Sequence, residues 1–347
     1  MTSVQRDDLV LTPTGLMELA TNFWKAKTLA AAVELGIFTL LARTGPLSTA
    51  EIAHEAGIKM RPADMFLASC AALGLLVEKD GEYDNSATAA QFLVQGEPDY
   101  FGGFVRFCDA REYPAWDRLV DALRTDRPMT WDPATQDSPF AREDRVMTEM
   151  FWEALHVAAT YTARGLADVY DFGAHKHLLD IGGGSGAFLI ELCRRNSGLH
   201  GTLYELDHVC VDAAARVAQA ALVSQISTIA GDFIAEPTLP EGFDVILISG
   251  VLHNWDPETN CALIRKSYNA LRPGGALLVC ELMLDSRRAG PADAALMGLN
   301  MVIETIAGKN YSEDEYREWV VACGFEGTEI RRLGGPGANA VLVARRP

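Results

Sequence analysis

The sequence predicts an α/β protein whose carboxyl-terminal half forms a doubly wound parallel sheet and whose amino-terminal half is mainly helical. Two observations support this prediction. Up to about residue 172 the apolar residues recur at helical spacing, and from residue 173 onward short apolar runs alternate with helical stretches. Such alternation implies parallel strands with helices on both faces of the sheet.

Composition restricts the class of protein. The 347 residues are 49% hydrophobic and 22% charged, which is typical of a folded chain of two or three domains. The net charge of −17 argues against a nucleic-acid partner, because a phosphate backbone needs a clustered positive surface. Seven scattered cysteines, none spaced as CxxC, indicate reduced thiols without a disulfide framework or metal site. The acidic start and the lack of an apolar run of ~20 residues predict a cytoplasmic protein without a signal peptide or membrane contact.

The amino-terminal half, residues 1–108, predicts a winged-helix-like domain. A long apolar helix over 16–41 is followed by a helix that opens with the capping box Ser48–Glu51, by a third helix, and by a hairpin that turns at Asp80-Gly81. One small domain could hardly cover the apolar surface of the first helix, so that helix predicts a dimer interface.

A winged helix also raises the alternative of a transcriptional regulator. The region carries 13 acidic and 8 basic residues, and its candidate groove-entering helix offers only Arg61 near its start. This charge balance favours a packing module over a DNA-binding one.

The carboxyl-terminal half, residues 173–347, contains five predicted parallel strands and a final hairpin around "GGPGA" that supplies one antiparallel strand at the sheet edge. Ligands of such sheets bind at the carboxyl ends of the strands. The predicted strands are 177–181, 202–206, 225–230, 243–249, 275–284, and the hairpin pair 327–333 and 339–346.

A glycine-rich turn, "LLDIGGGSGAF" (178–188), joins the first of these strands to a helix. Gly182, Gly184 and Gly186 allow a tight turn and a close approach of the backbone to a ligand. The segment also matches the dinucleotide fingerprint, with Glu205 as the acid about twenty residues on, so a nicotinamide dehydrogenase is an alternative.

Acidic residues at successive strand ends favour an adenosyl ligand instead. Asp180 would repel a pyrophosphate but suits the amine and sulfonium of S-adenosylmethionine. Glu205 can accept both ribose hydroxyls. Asp232 can accept from the adenine amino group, beside Phe233, whose ring can pack on the base.

These segments together resemble the small-molecule O-methyltransferases of the caffeic-acid and acetylserotonin type, most closely the bacterial enzymes that methylate aromatic natural products. The resemblance covers nearly the whole chain and implies an S-adenosylmethionine-dependent methyltransferase with a Rossmann-like sheet, an amino-terminal dimerisation domain and a homodimeric state. It implies cofactor contacts at Gly182 and its neighbours, Glu205, Asp232, Phe233 and Ser249, where plant members commonly have lysine. The matching segments are the glycine turn, "YELDHV", "GDF", "VLHNWD" and "LRPGGALLVCE".

His253 lies in "SGVLHNWDP", directly after the fourth strand. Asp256 is a good helix N-cap and Pro257 suits the first helical position, so helix capping accounts for the residues after the histidine. The residues alone leave both a structural and a proton-transfer role open for His253. The resemblance implies that it is the catalytic base, because the family's base occupies this position.

The resemblance also implies partners for the histidine and a substrate pocket. Glu281 matches one family acid that flanks the base, and Asn310 stands where the family has a second acid. Asn254 likewise replaces a usual aspartate. The region 109–172 is expected to be a helical linker that contributes to the pocket, and the implied contacts with an aromatic acceptor are Phe151, Leu155, Asn300 and Met301. A relative that binds the same cofactor but hydroxylates a polyketide is a further alternative.

Overall fold

The computed structural model describes residues 12–136 and 145–347. The chain forms two compact units, Met1–Asp109 and Ala110–Pro347. The structure therefore places a boundary next to the one predicted after residue 108. The further division at residue 172 stays a prediction.

From residue 12 onward, the first unit combines six helices with a small antiparallel sheet in the order β1-β3-β2. Asp80 and Gly81, both with positive φ, form the two-residue turn between β2 and β3, which confirms the predicted hairpin. The predicted capping box of Ser48 and Glu51 is also present. The elements are α1 (Thr14–Glu34), α2 (Ile37–Thr44), β1 (Leu47–Ser48), α3 (Thr49–Glu55), α4 (Met60–Ala72), β2 (Leu76–Lys79), β3 (Glu82–Asn85), α5 (Ala87–Phe92) and α6 (Gly102–Phe107).

The single helix predicted over 16–41 is wrong, because the structure divides it into α1 and α2. The break lies at Gly36, whose φ of 66° is left-handed, a conformation that glycine adopts without a steric penalty. The sequence did not indicate this break, because apolar residues continue on both sides of Gly36.

Helix α1 exposes large apolar side chains in its first three turns. Leu16 is 72% exposed and Trp24 is 62% exposed. Such a concentration of apolar surface on one short segment is typical of an interaction site. The exposed residues are Leu16, Met17, Leu19, Phe23 and Trp24.

The second unit contains a seven-stranded sheet in the order β6-β5-β4-β7-β8-β10-β9, with helices on both faces. Strand β10 is antiparallel to both of its neighbours, and the other inner pairings are parallel. The strands are β4 (His177–Ile181), β5 (His200–Glu205), β6 (Ile226–Ala230), β7 (Phe243–Ser249), β8 (Leu271–Glu281), β9 (Glu326–Arg332) and β10 (Ala340–Arg345). The predicted α/β class, with its parallel sheet and final hairpin, is confirmed.

Most described helices of the second unit pack against this sheet, whereas three helices, which contribute Ala115, Ala122 and Ile303, pack against one another. Within the described residues, no helix is both long and apolar enough to cross a membrane. The helical elements are a π-helix (Cys108–Glu112, which begins at the unit boundary), α7 (Tyr113–Trp116), α8 (Leu119–Thr125), α9 (Arg145–Val169), a 3₁₀ turn (Phe172–Ala174), α10 (Ala187–Arg195), α11 (Asp207–Gln219), a second 3₁₀ turn (Leu252–Asn254), α12 (Pro257–Ala270), α13 (Ala292–Glu304) and α14 (Glu313–Ala322).

The register of the central strands brings the predicted site residues to one edge of the sheet. Ile181 of β4 is paired with Ile248 of β7, and Ser249 of β7 is paired with Cys280 of β8. Because the strands are parallel, the loops after β4, β7 and β8 leave the sheet side by side. The glycine turn, the His253 segment and Glu281 therefore lie together at the carboxyl-terminal ends of these central strands.

Candidate active site

His253 and Glu281 form a buried hydrogen-bonded pair. The imidazole Nδ1 lies 2.7 Å from Oε2 of Glu281, and the two residues are 9% and 1% exposed. A carboxylate can only accept, so Nδ1 carries the hydrogen and donates it. In the neutral imidazole this leaves the lone pair on Nε2.

The second oxygen of Glu281 holds the backbone around the histidine. Oε1 accepts from the amide nitrogens of Val251, at 3.0 Å, and Leu252, at 2.9 Å. Asn260 adds to this by donating to the carbonyl of Leu252 at 2.9 Å. One carboxylate therefore orients the ring and fixes the turn that carries it.

The residues after the histidine begin a helix, as predicted. Oδ1 of Asp256 accepts from the amide of Thr259 at 2.8 Å, and Pro257 is the first residue of α12. Asn254 donates to the Val251 carbonyl at 3.1 Å. These contacts give Asn254, Asp256 and Pro257 a structural role. They do not involve the side chain of His253.

Asn310 is buried, but its amide nitrogen is directed at backbone carbonyls. Nδ2 donates to Leu282 at 2.9 Å and to Ala294 at 2.8 Å. Its Oδ1 is buried with no hydrogen-bond partner among the described residues. The observed bonds join the segment after β8 to α13, which is a positioning arrangement. Direct action of Asn310 on the imidazole stays a prediction.

The glycine turn needs its glycines for conformation and for space. Gly182 and Gly184 have φ of 66° and 54°. A Cβ on Gly182 would lie 2.8 Å from Val251 and 3.3 Å from the ring of Phe233, and a Cβ on Gly184 would collide with Trp152. Side chains at these two positions would therefore both strain the backbone and fill the cradle above it.

Asp180 is fully buried at the end of β4, and both its carboxyl oxygens lack a hydrogen-bond partner among the described residues. Burial, together with the nearby charge of Glu205, raises the pKa of this carboxyl to about 7. A buried acid without a donor is costly on its own. It fits a ligand that brings a cationic group or a hydrogen-bond donor to this point.

Glu205, at the end of β5, is a second buried acid. Its Oε2 accepts from the amide of Leu206 at 2.6 Å, and burial raises its pKa to about 7 against the lowering effect of backbone hydrogen bonds. Asp232 is exposed, and its Oδ1 accepts from Ile234 and Ala235 at 2.8 and 3.0 Å. One oxygen of Asp232 is thus used to shape its own turn.

Two other cofactor predictions have clear surroundings. Phe233 is half-buried against the core cluster under the sheet, with its ring facing Gly182. Ser249, the last residue of β7, is half-buried and within hydrogen-bonding reach of the Cys280 thiol on β8.

Helix α9 supplies two neighbours of the glycine turn that the sequence did not reveal. Nδ1 of His156 lies 2.8 Å from the hydroxyl of Ser185, and burial lowers the pKa of His156 to about 4, with the charges of Arg216 and Arg194 adding to the effect. His156 is therefore neutral at pH 7. Trp152, one turn earlier, faces Gly184. A histidine and a tryptophan four residues apart on a helix face were the available signal.

The predicted acceptor contacts are distributed over α9 and α13. Phe151 falls outside the residues whose side chains the structure describes, and Leu155 is half-buried. Met301 is buried at 3% exposure. Oδ1 of Asn300 accepts from the indole nitrogen of Trp116 at 2.7 Å, so part of its amide is already engaged.

Comparisons with protein families assign the chain. Residues 116–326 match an O-methyltransferase domain, and residues 17–95 match an O-methyltransferase dimerisation domain. The chain therefore belongs to the O-methyltransferase family. The second match supports assembly as a homodimer.

Individual relatives agree over nearly the whole chain. The chain is 44% identical to the 3-hydroxy-5-methyl-1-naphthoate 3-O-methyltransferase of Streptomyces sahachiroi, over 95% of this chain and 94% of that protein. It is 32% identical to the tetracenomycin polyketide synthesis 8-O-methyl transferase TcmO of Streptomyces glaucescens, over 96% and 97%. The solved structure of human N-acetylserotonin methyltransferase in complex with SAM superposes with a TM-score of 0.85 at 26% identity, covering 99% of both chains.

The protein is an S-adenosylmethionine-dependent O-methyltransferase with small-molecule substrates. The matches confirm the predicted family, cofactor and type of enzyme. They favour the adenosyl interpretation of the glycine turn over the dehydrogenase and regulator alternatives. The partnerless acid Asp180 and the glycine cradle fit this cofactor chemically.

Proposed function

We propose that this enzyme methylates a phenolic hydroxyl of an aromatic small molecule in natural-product biosynthesis, with His253 as the general base. The observation that carries the proposal is the buried His253–Glu281 pair, which leaves Nε2 of the imidazole available as a proton acceptor. The naphthoate and tetracenomycin enzymes among its relatives support an aromatic acceptor.

A base accelerates this reaction because a neutral hydroxyl is a poor nucleophile. A phenol with a pKa near ~10 is only about 0.1% ionised at pH 7. When bound, S-adenosylmethionine would supply the methyl group for in-line displacement by the phenol oxygen, with S-adenosylhomocysteine as the leaving group. His253 accepts the phenol proton at Nε2, and Glu281 stabilises the imidazolium that forms. Such general-base assistance contributes typically ~10²–10⁴-fold.

The strand-end residues are proposed to hold the cofactor. Asp180 offers a buried acceptor for a cationic donor, and Glu205 a second acceptor for ribose hydroxyls. Asp232 keeps one carboxyl oxygen outside its own turn for the adenine amino group, and Phe233 offers a ring face. Further proposed contacts are Gly182, Gly184 and Ser249.

The aromatic substrate that receives the methyl group is proposed to lie between α9 and α13. The half-buried Leu155 and the buried Met301 offer apolar surface suited to a flat ring. Phe151 and Asn300 are proposed to complete this pocket. Residues 109–172 would thus act as the helical linker that contributes to substrate binding.

A product screen tests the proposal. Purified enzyme with S-adenosylmethionine is incubated with a panel of hydroxylated naphthoates and polycyclic phenols, and products are identified by mass spectrometry. We expect one methyl group gained on one oxygen, and a loss of at least ~100-fold in kcat for His253→Ala with cofactor binding retained.

His200→Ala is the matched control. It removes an exposed histidine at the amino-terminal end of β5, whereas the site lies at the carboxyl ends of the strands, and it should remain fully active. Full activity of His253→Ala would refute the base assignment. Transfer of oxygen instead of a methyl group would support the hydroxylase alternative.

A further inference from the structure

A second pair of acids, Glu112 and Glu304, lies in the second unit, with side chains only 15% and 13% exposed. Glu112 ends the π-helix, and Glu304 ends α13. One guanidinium nitrogen, Nη1 of Arg111, contacts a carboxyl oxygen of each acid, which places the two carboxyl groups next to each other. π-Helical turns are rare and frequently occur at functional sites.

The donors around this pair satisfy only half of its oxygens. Nη1 of Arg111 donates to Oε2 of Glu304 at 2.6 Å and to Oε1 of Glu112 at 3.3 Å. Thr130 adds a bond to the same Glu304 oxygen at 3.1 Å, and the Asn300 amide donates to Glu112. One oxygen of each acid, Oε2 of Glu112 and Oε1 of Glu304, is buried with no donor among the described residues.

One proton shared by the two carboxyl groups would allow them to form a hydrogen bond with each other. Two ionised carboxylates can only accept, so they cannot bond to each other, whereas a carboxylic acid donates to a carboxylate. Burial, with the hydrogen bond and charge of Glu304 adding to it, raises the pKa of Glu112 to about 8 against the lowering effect of Arg111. At pH 7 the cluster then contains one neutral acid, one carboxylate and one guanidinium, and its charges cancel.

The pair is connected to the histidine turn through the end of α13. Thr305 follows Glu304 directly, and its hydroxyl accepts from the amide of Gly308 at 2.8 Å. Gly308 approaches the carbonyl of His253 so closely that a Cβ there would collide with it. Asn300 lies one turn before Glu304 on the same face of α13.

We propose that Glu112 and Glu304 share one proton and act as a positioning pair that holds the end of α13 against the His253 turn and orients Asn300 for the acceptor. This proposal rests on the proposed function only for the role of Asn300 and the acceptor. Proton sharing itself is a property of the folded protein and can be measured without an acceptor.

The neighbouring groups define when the pair changes state. In the described part of the chain, the charged groups that act on Glu112 are Glu304 and Arg111, while α7, α13 and the segment after α8 contribute the uncharged Trp116, Asn300 and Thr130. As pH rises past about 8 the shared proton is lost. Two carboxylates then face each other with one guanidinium, and the end of α13 is pushed from the histidine turn.

Infrared spectroscopy tests proton sharing directly. We expect a protonated-carboxyl stretching band that titrates near pH 8 in the difference spectra of wild type minus Glu112→Gln and wild type minus Glu304→Gln, in which the signals of Asp180 and Glu205 cancel because all three proteins share them. Glu241→Gln, at an exposed loop position, should keep the band. A band unaffected by both variants would overturn the proposal, whatever the outcome of the acceptor screen.

Thermal unfolding adds a second readout that does not require activity. The stability that a raised acid pKa supplies is complete below the unfolded-state value and is lost as pH rises through the folded-state value. Glu112→Gln cannot lose a proton. Its Tm relative to wild type should therefore increase from pH 5 to pH 9, and a constant difference would contradict proton sharing.

Kinetics then separates positioning from a structural role. We expect the wild-type kcat/KM for the methylated substrate to fall between pH 8 and pH 10 by about tenfold more than that of Glu112→Gln. The variant is less affected because the glutamine at position 112 stays neutral over this range. The KM for S-adenosylmethionine should change less than about twofold. Identical pH profiles in the two proteins would exclude the positioning role.

Discussion

At Glu281, one side chain has two separable tasks. Oε2 accepts from the imidazole, and Oε1 accepts from the amides of Val251 and Leu252. Glutamine at this position keeps a carbonyl oxygen for the amides but has no charge to stabilise an imidazolium. The fold of the turn and the basicity of His253 can therefore be tested apart.

We expect Glu281→Gln to lower kcat at least ~100-fold while the Kd for S-adenosylmethionine stays within about threefold, because the lost charge acts on the proton-transfer step. Steady-state kinetics and calorimetric titration measure the two quantities. Glu258→Gln, at an exposed position on α12, provides the control. An unchanged kcat would remove Glu281 from the mechanism.

Single residues show where sequence reasoning had limits. The His253–Glu281 contact was predicted from the resemblance, and the structure brings the two together. The bonds of Asn310 to Leu282 and Ala294 could not be predicted, because they depend on how α13 returns over the sheet. The Arg111–Glu304 ion pair joins residues 193 positions apart, a contact that no local pattern reveals.

At the level of elements, the ends of β4 and β5 bring two buried acids close together, and the charge of Glu205 adds to the raised pKa of Asp180. Asp180 and Glu205 each have a pKa raised to about 7, chiefly by burial. Both groups are thus half-protonated near neutral pH. A cationic donor prefers the ionised carboxylate and lowers the pKa when it binds.

We therefore predict that the affinity for S-adenosylmethionine increases between pH 6 and pH 8, with protons released on binding. The ligand-free fold loses stability over this range, since its raised pKa values favour the protonated acids, so the gain in Tm from the cofactor should grow with pH. Calorimetry in buffers of different ionisation enthalpy measures the proton release. Asp180→Asn should reduce both effects, and a pH-independent affinity would contradict the assignment.

Strand prediction succeeded where apolar runs are bounded by turn residues. Strands β4 and β7 coincide with the predicted 177–181 and 243–249. Strand β8 begins four residues before the predicted start, at Leu271, because its first residues pair at a register shift that apolar spacing does not encode. The break at Gly36 was also not predicted, because a single glycine within a continuous apolar pattern does not by itself indicate the end of a helix.

For the whole molecule, the two units were predictable in outline because their periodicities differ. The dimerisation-domain match supports a homodimer, and we propose that the exposed apolar stretch of α1 lies in its interface. We predict that the double variant Leu19→Glu and Phe23→Glu is monomeric, since two charges on an apolar contact are costly to desolvate.

Light scattering coupled to gel filtration measures the mass, which should fall from twice 37.7 kDa to that of one chain. Val223→Glu, at an exposed apolar position of the second unit, should leave the dimer intact. A dimeric double variant with a native circular-dichroism spectrum would place the interface elsewhere.

The two amide hydrogens that Glu281 holds have a kinetic consequence. Val251 and Leu252 are buried outside the regular strands, in a turn where backbone amides ordinarily exchange with deuterium quickly. Their exchange in this protein should be slow, and slow equally in Glu281→Gln, but fast in Glu281→Ala. Mass spectrometry of the peptide that spans this turn would thus report, without any substrate, whether residue 281 still offers an oxygen that accepts from these two amides.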